Sequence, residues 1–166
     1  MIYVKANMEI SKALSKGDIV RGHDLDDDLF IVTTNGYYAY IIPKKEIIFD
    51  IKKVQILTRK MFEPGDYLKN SNELKPTMHY IKPNRDYCRR FDGKGYHVYL
   101  NDEFLKRLEK DYPYKYYQDV RPNTNMSLQP ILAAVKMSEN KETNKVIHDL
   151  AMLILPIRVL DEEGDD

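Results

Sequence analysis

The dipeptide Asn35-Gly36 lies between two runs rich in β-branched and aromatic residues. Before it stands Leu29 to Thr34, Leu-Phe-Ile-Val-Thr-Thr; after it comes Tyr37 to Ile42, which Pro43 ends. Asn and Gly both tolerate φ > 0, so the pair predicts a two-residue β-hairpin. An antiparallel sheet is therefore the framework that the rest of the chain has to join. The thirteen tyrosines, with no tryptophan, fit that framework, since tyrosine favours strands and half-exposed surfaces. The clusters Tyr37-Tyr38-x-Tyr40 and Tyr112, Tyr114, Tyr116, Tyr117 have two readings: cross-strand pairs, or a stacking platform for single-stranded nucleic acid, which also needs a basic groove.

The remaining strands are read from shorter signals. Residues 2–6 read as a strand. In 8–16, Ile10, Ala13 and Leu14 share a helical face, with Asn7 as N-cap and Gly17 as stop. Residues 18–22 read as a strand, and Asp24 to Asp28 as a polar connection. Residues 46–57 hold a further β-rich run. Residues 60–95 contain Pro64, Pro76 and Pro83 and read as an irregular connection that closes in a turn at Asp92-Gly93-Lys94-Gly95. Residues 96–100 then form a strand, and Asn101 caps a helix over 102–111 with Phe104, Leu105 and Leu108 on one face. Strands follow at 116–120, 127–135 and 150–155, with a polar loop over 136–148.

Both ends of the chain thus share an order of strand, short helix and several strands. The expected fold is α+β: two βαβββ halves, about 1–58 and 96–160, form one domain over 1–160 with curved antiparallel sheets and two helices on one face. The acidic tail 161–166 is expected to be solvated and disordered.

A chain of 166 residues can bury one core. One cysteine, Cys88, excludes an intramolecular disulfide and a Cys₄ zinc site. No apolar run approaches the roughly 18–20 residues that span a bilayer, and no secretory leader is visible, so the expectation is a cytoplasmic protein without membrane contact. The 26 basic and 26 acidic residues balance, which argues against a uniformly basic nucleic-acid binder. Charge is nevertheless segregated: residues 52–115 hold fifteen Lys/Arg and nine Asp/Glu.

Three segments resemble the bacterial DNA polymerase sliding clamp, the ring-forming β processivity factor. Thr34-Asn35-Gly36-Tyr37-Tyr38-Ala39 is similar to that family's T-D-G-H-R-L-A strand pair. Tyr96 to Leu108 is similar to the strand and helix that open a clamp module, and Leu155-Pro156-Ile157-Arg158-Val159 to the C-terminal M-P-x-R-L. The resemblance implies paired βαβββ halves whose helices face DNA. It implies phosphate contacts from Lys12, Lys16, Lys106, Arg107 and Lys110. It also implies a partner-peptide pocket from Thr34, Gly36, Tyr37, Tyr38, Leu155, Pro156, Ile157 and Arg158. The departures are Asn35 in place of the acidic residue and Tyr37-Tyr38 in place of His-Arg. The chain has length for one domain where the family has three, so several copies would be needed to encircle DNA. In the family the two pocket motifs come from neighbouring domains.

No catalytic signature is assigned, and the chain is read as not an enzyme. His23, His79, His97 and His148 form no H-x-x-x-H. A Cys88–His97 nucleophile and base pair has no local signature, and Cys88 before Arg89-Arg90 reads equally as a surface thiol. Asp24-x-Asp26-Asp27-Asp28 lacks the glycine and distal glutamate of an EF-hand loop. No metal or cofactor is expected. The functional expectation is a clamp-like, non-catalytic protein of replication, or of a phage or mobile element, binding double-stranded DNA non-specifically or replication proteins, as a homo-oligomer if it encircles DNA. The alternatives are a protein-interaction module, inhibitor or adaptor, that keeps the fold without DNA, and a nucleic-acid-processing enzyme using the basic 60–95 segment.

Overall fold

The computed structural model describes residues 3–25, 28–58, 71–110, 112–119, 129–139 and 145–159, with the backbone alone for 136–139 and 145–149. The protein is a mixed α/β protein: among the described residues, two helices accompany a large ten-stranded sheet.

The chain opens on helix α1, Tyr3–Ser15, not on a strand. Tyr3, Ala6, Ile10, Ala13 and Leu14 recur at helical spacing and all pack on the main core, which overrides the strand preference of the first residues. Asn7 lies inside the helix and is no cap. Gly17, at φ +82°, ends it as expected: Asp18 N donates to Ala13 O at 3.0 Å.

Strands β1 (Arg21–Leu25), β2 (Leu29–Thr33) and β3 (Tyr38–Pro43) form an antiparallel meander. The Asn35-Gly36 hairpin is present, but its loop spans residues 34–37 rather than two. Thr33 Oγ1 accepts from Gly36 N at 2.9 Å and donates to Tyr38 O at 2.7 Å, while Asn35 Oδ1 accepts from Tyr37 N. These side-chain bonds satisfy backbone groups that a tighter turn would pair directly. Gly36 takes φ +80°.

The β-rich run over 46–57 is mostly something else. Two 3₁₀ turns, Lys44–Glu46 and Ile51–Lys53, lead to β4, Gln55–Ile56, which pairs parallel to β1. Phe49 and Val54 anchor this segment in the core, and Asp50 caps the second turn by accepting from Lys52 N.

The irregular connection over 60–95 is also overturned in its described part. Residues 71–81 form the long strand β5, Ser71–Ile81, and β6 is Cys88–Asp92. Pro76 has no N–H to give a ladder, and the β5–β6 register shifts between Pro76 and Tyr80. The turn at Asp92 to Gly95 joins β6 to β7, His97–Asn101, with Asp92 opposite His97.

Asn101 does cap the second helix, accepting from Glu103 N at 2.8 Å, but α2 is only Asp102–Leu105. Beyond it Arg107 N donates to Phe104 O and Leu108 N to Leu105 O, so the segment tightens into i+3 turns that bring Leu108 into the core. Strands β8 (Lys115–Asp119), β9 (Ile131–Glu139) and β10 (Lys145–Ile154) follow. The loop expected over 136–148 is instead ladder as far as it is described: Lys136 pairs with His148, and Glu139 with Lys145. The ladder is made by backbone groups, which a polar sequence carries as well as an apolar one. Residues 59–70, 120–128, 140–144 and the tail 161–166 lie outside the description, as do Asp26 and Asp27.

The strand order is β4-β1-β2-β3-β10-β9-β8-β5-β6-β7. Each helix is followed by a three-strand meander, and the last strands of the two meanders, β3 and β10, pair antiparallel in the middle. Both helices cover the same face, over Phe30, Val32, Tyr38, Tyr40, Ile42, Ile131, Ala133, Met152 and Ile154. On the opposite face Ile31, Ala39, Ile41, Leu132, Ala134 and Leu153 form a second buried cluster. The sheet also curls back. Tyr99 of β7 bridges to Ile157 beyond β10, whose N–H donates to Tyr99 O at 2.8 Å, so β10-β9-β8-β5-β6-β7 close into a ring of strands.

Candidate functional site

α1, β3 and the turn that follows α2 converge on one carboxylate. Glu9 accepts from Tyr38 Oη at 2.6 Å, from Tyr40 Oη at 2.9 Å and from Arg107 Nε at 3.0 Å. The Arg107 guanidinium also lies 4.6 Å from the Tyr38 ring centre, and its Nη1 donates to Glu103 O at 2.7 Å. Burial first, then the Glu9 hydrogen bond and charge, push the Tyr38 hydroxyl up to about 12. Burial and Glu9 push Tyr40 up further. Burial works against the Arg107 cation, but its bond to Glu9 and the nearby tyrosine oxygens outweigh this and raise its pKa. Tyr37 stacks on Phe104 beside this network. The arrangement holds two helices against a hairpin; both phenols stay protonated and the arginine is neutralised in place.

This geometry divides the five expected phosphate-binding cations. Arg107 faces inward and is paired. Lys106 is bound by Glu103 at 3.1 Å, which raises its pKa. Lys12, Lys16 and Lys110 are exposed. Lys12 and Lys16 lie one turn apart near the end of α1, and Lys110 follows α2.

Of the residues expected to form a partner-peptide pocket, Tyr37 and Leu155 meet within one chain and Tyr38 lies elsewhere. Leu155 N donates to Tyr37 O at 2.9 Å, and Ile154 sits opposite Tyr38. Tyr37 is 60% exposed and Leu155 36%, Gly36 lies at the loop tip, and Thr34 sits between them and the buried Thr33. Pro156 and Ile157 lead to β7, followed by exposed Arg158. The Tyr38 ring is buried against Phe104 and faces Glu9, so it belongs to the helix junction and not to the Tyr37–Leu155 surface.

Neither tyrosine cluster makes a stacking platform. Tyr38, Tyr40 and Tyr117 are buried, and Tyr116 packs edge-on against Phe91. Exposed aromatic and basic residues lie beside one another on the β5–β6 ribbon, in a segment that reads from sequence as irregular and basic. Tyr80 and Tyr87 are exposed there; Arg89 lies 5.7 Å from the Tyr80 ring and Lys82 Nζ 5.0 Å from the Tyr87 ring. The signal was the basic excess over 52–115. The ladder that orders it was hidden by Pro76 and Pro83.

Cys88 is buried in β6, not a surface thiol, and burial with the charges of Asp86 and Asp102 pushes its pKa up. It sits opposite Asn101, while His97 is four residues further along β7, roughly 13 Å away at strand spacing. The two do not form a nucleophile–base pair. Asp24 pairs with Lys44 at 3.1 Å, beside a cleft lined by Asp28, Leu29, Pro43, Lys44 and Lys45. Among the described residues no three His, Cys, Asp or Glu side chains converge as for a metal ion, and no helix is long and apolar enough to cross a membrane.

Compared with protein-family models, curated proteins and solved structures, the chain matches none.

Proposed function

We propose that the chain is a non-catalytic, sliding-clamp-like protein of replication or of a phage or mobile element, acting in the cytoplasm on duplex DNA or on replication proteins. The mirrored strand order carries this reading. Two helix-plus-meander units meet at β3 and β10 and place both helices on one face. Such a domain presents a helical side to DNA and leaves the outer strands to neighbours. The second unit, β7-α2-β8-β9-β10, has the full βαβββ order. With Arg107 and Lys106 paired, the DNA contact rests on Lys12, Lys16 and Lys110. Three phosphate contacts per copy give weak, sequence-independent binding with a log–log salt slope of about −2.7. Affinity for DNA would then come from several copies acting together.

The test is solution mass by light scattering, with and without short duplex DNA, at low and moderate salt. A ring-sized oligomer or a salt-sensitive DNA complex supports the proposal. A monomer or dimer indifferent to DNA removes it.

The second reading is a protein-interaction module. Its support is the Tyr37–Leu155 surface, exposed and adjacent in one chain, together with the neutralisation of Arg107. Lys12→Glu with Lys16→Glu separates the two: duplex binding is lost under the first reading, and partner binding persists under the second.

A further inference from the structure

The outer end of the β5–β6 ribbon is the most cationic described part of the chain. Residues 75–91 carry Lys75, Lys82, Arg85, Arg89 and Arg90 against one acid, Asp86. Lys75 and Arg90 are paired with Glu73 and Asp92. Asp86 is held by Asn101 Nδ2 at 3.3 Å at the root of the turn. Lys82, Arg85 and Arg89 have no carboxylate partner among the described residues. Arg89 is held in place, with its Nε donating to Thr77 O at 2.7 Å and its guanidinium 5.7 Å from the Tyr80 ring centre and 5.9 Å from that of Phe91.

Aromatic surface accompanies this charge. Tyr87 is 57% exposed, Tyr80 38% and Met78 80%. Tyr80 stands opposite Arg89 across the ladder, and Tyr87 lies on the return side of the turn. Each ring has a cation nearby and is exposed to solvent, which favours a flat aromatic partner there. Duplex phosphates would engage the cations and gain nothing from the rings. Unpaired bases use both.

We infer that the outer end of the β5–β6 ribbon binds single-stranded nucleic acid, Tyr80 and Tyr87 stacking bases while Lys82, Arg85 and Arg89 hold the phosphates. The site abuts the start of α2, where Asp102 N donates to Tyr87 O at 2.9 Å, but it uses none of Lys12, Lys16 and Lys110 and does not rest on the clamp-like reading.

The experiment measures fluorescence anisotropy of the full chain with a labelled 20-mer oligothymidylate, with a 20-base-pair duplex and with an oligoglutamate peptide. Oligothymidylate is expected to bind most tightly. Tyr87→Ala weakens it roughly tenfold or more, whereas Tyr87→Phe, which keeps the ring, does not. Lys82→Gln with Arg85→Gln lowers the salt slope by about 1.4. Lys12→Glu with Lys16→Glu leaves oligothymidylate binding unchanged. All substituted side chains are exposed, and an unchanged thermal melt verifies each fold. Equal or tighter binding of the duplex or the acidic peptide by the Lys12→Glu, Lys16→Glu variant, in which the helix-side cations are reversed, overturns the inference. So does an oligothymidylate affinity that Tyr80→Ala and Tyr87→Ala both leave unaltered.

Discussion

The Asn7 amide ties α1 to the chain after β3. Its Nδ2 donates to Tyr3 O at 2.8 Å and to Glu46 O at 2.9 Å, and its Oδ1 accepts from Ile48 N at 2.8 Å. Asn7 is buried, so removing it leaves at least a carbonyl and an N–H without their partner. Asn7→Ala is expected to cost about 2–3 kcal/mol in urea unfolding. Glu9 is the companion case. Glu9→Ala strips one acceptor from two phenols and an arginine, and should cost about 3 kcal/mol or more because Arg107 stays half-buried without its counter-charge. The same network sets the alkaline limit. The folded pKa of Tyr38 lies above its unfolded value, so its contribution is complete below about pH 10 and is lost as pH rises towards 12. The wild-type urea midpoint should therefore fall over that window. Tyr38→Phe should fall less, by on the order of 2 kcal/mol, with Tyr40 supplying the remaining slope.

Among the elements, α2 depends on its cap. It is one turn long, too short to form by its own propensity, and survives because Asn101 caps it while Phe104, Leu105 and Leu108 pack beneath it. Asn101→Ala removes the cap and the bond to Asp86, and is expected to cost about 1–2 kcal/mol. Its readout is faster amide exchange at Glu103 and Lys106. Asn101 was legible because a polar residue between an alternating strand and an apolar stripe has few other uses. The hairpin was legible for a similar reason: turn chemistry is local. Residues 2–6 misled because Tyr3 and Val4 favour strands, whereas the deciding contacts, Ala6 and Ile10 against the sheet, are long-range. β5 was hidden because Pro76 and Pro83 read as breaks, while its ladder to β8 depends on partners 42 to 48 residues away. The Glu9 site was invisible because Arg107 lies 98 residues from its acceptor. Sequence shows that a cation is present but not whether it has already been spent inside the fold.

At the scale of the molecule, two descriptions compete. By helix-and-meander units the chain is symmetric about the β3–β10 seam. By closure it is not: the ring β10-β9-β8-β5-β6-β7, shut by Tyr99 and Ile157, lies wholly within residues 71–159. The described residues of 1–58 contribute α1, a three-strand meander, two 3₁₀ turns and the short β4, and the meander has one edge on β10. A small open meander does not hold a stable fold unaided, whereas a closed ring has few edges to lose. Cutting between the units should therefore act asymmetrically. A fragment of residues 1–58 should be unfolded, because Tyr38, Tyr40 and Ile42 lose Met152 and Ile154. A fragment of residues 59–166 should keep slow amide exchange in β6, β7 and β9. It should also self-associate through the β10 edge that β3 normally covers, and added 1–58 fragment should suppress that association. Exchange measured by NMR, with the mass of each fragment from size exclusion, distinguishes the cases. Two fragments that fold equally well would make the units, and not the ring, the stable building blocks.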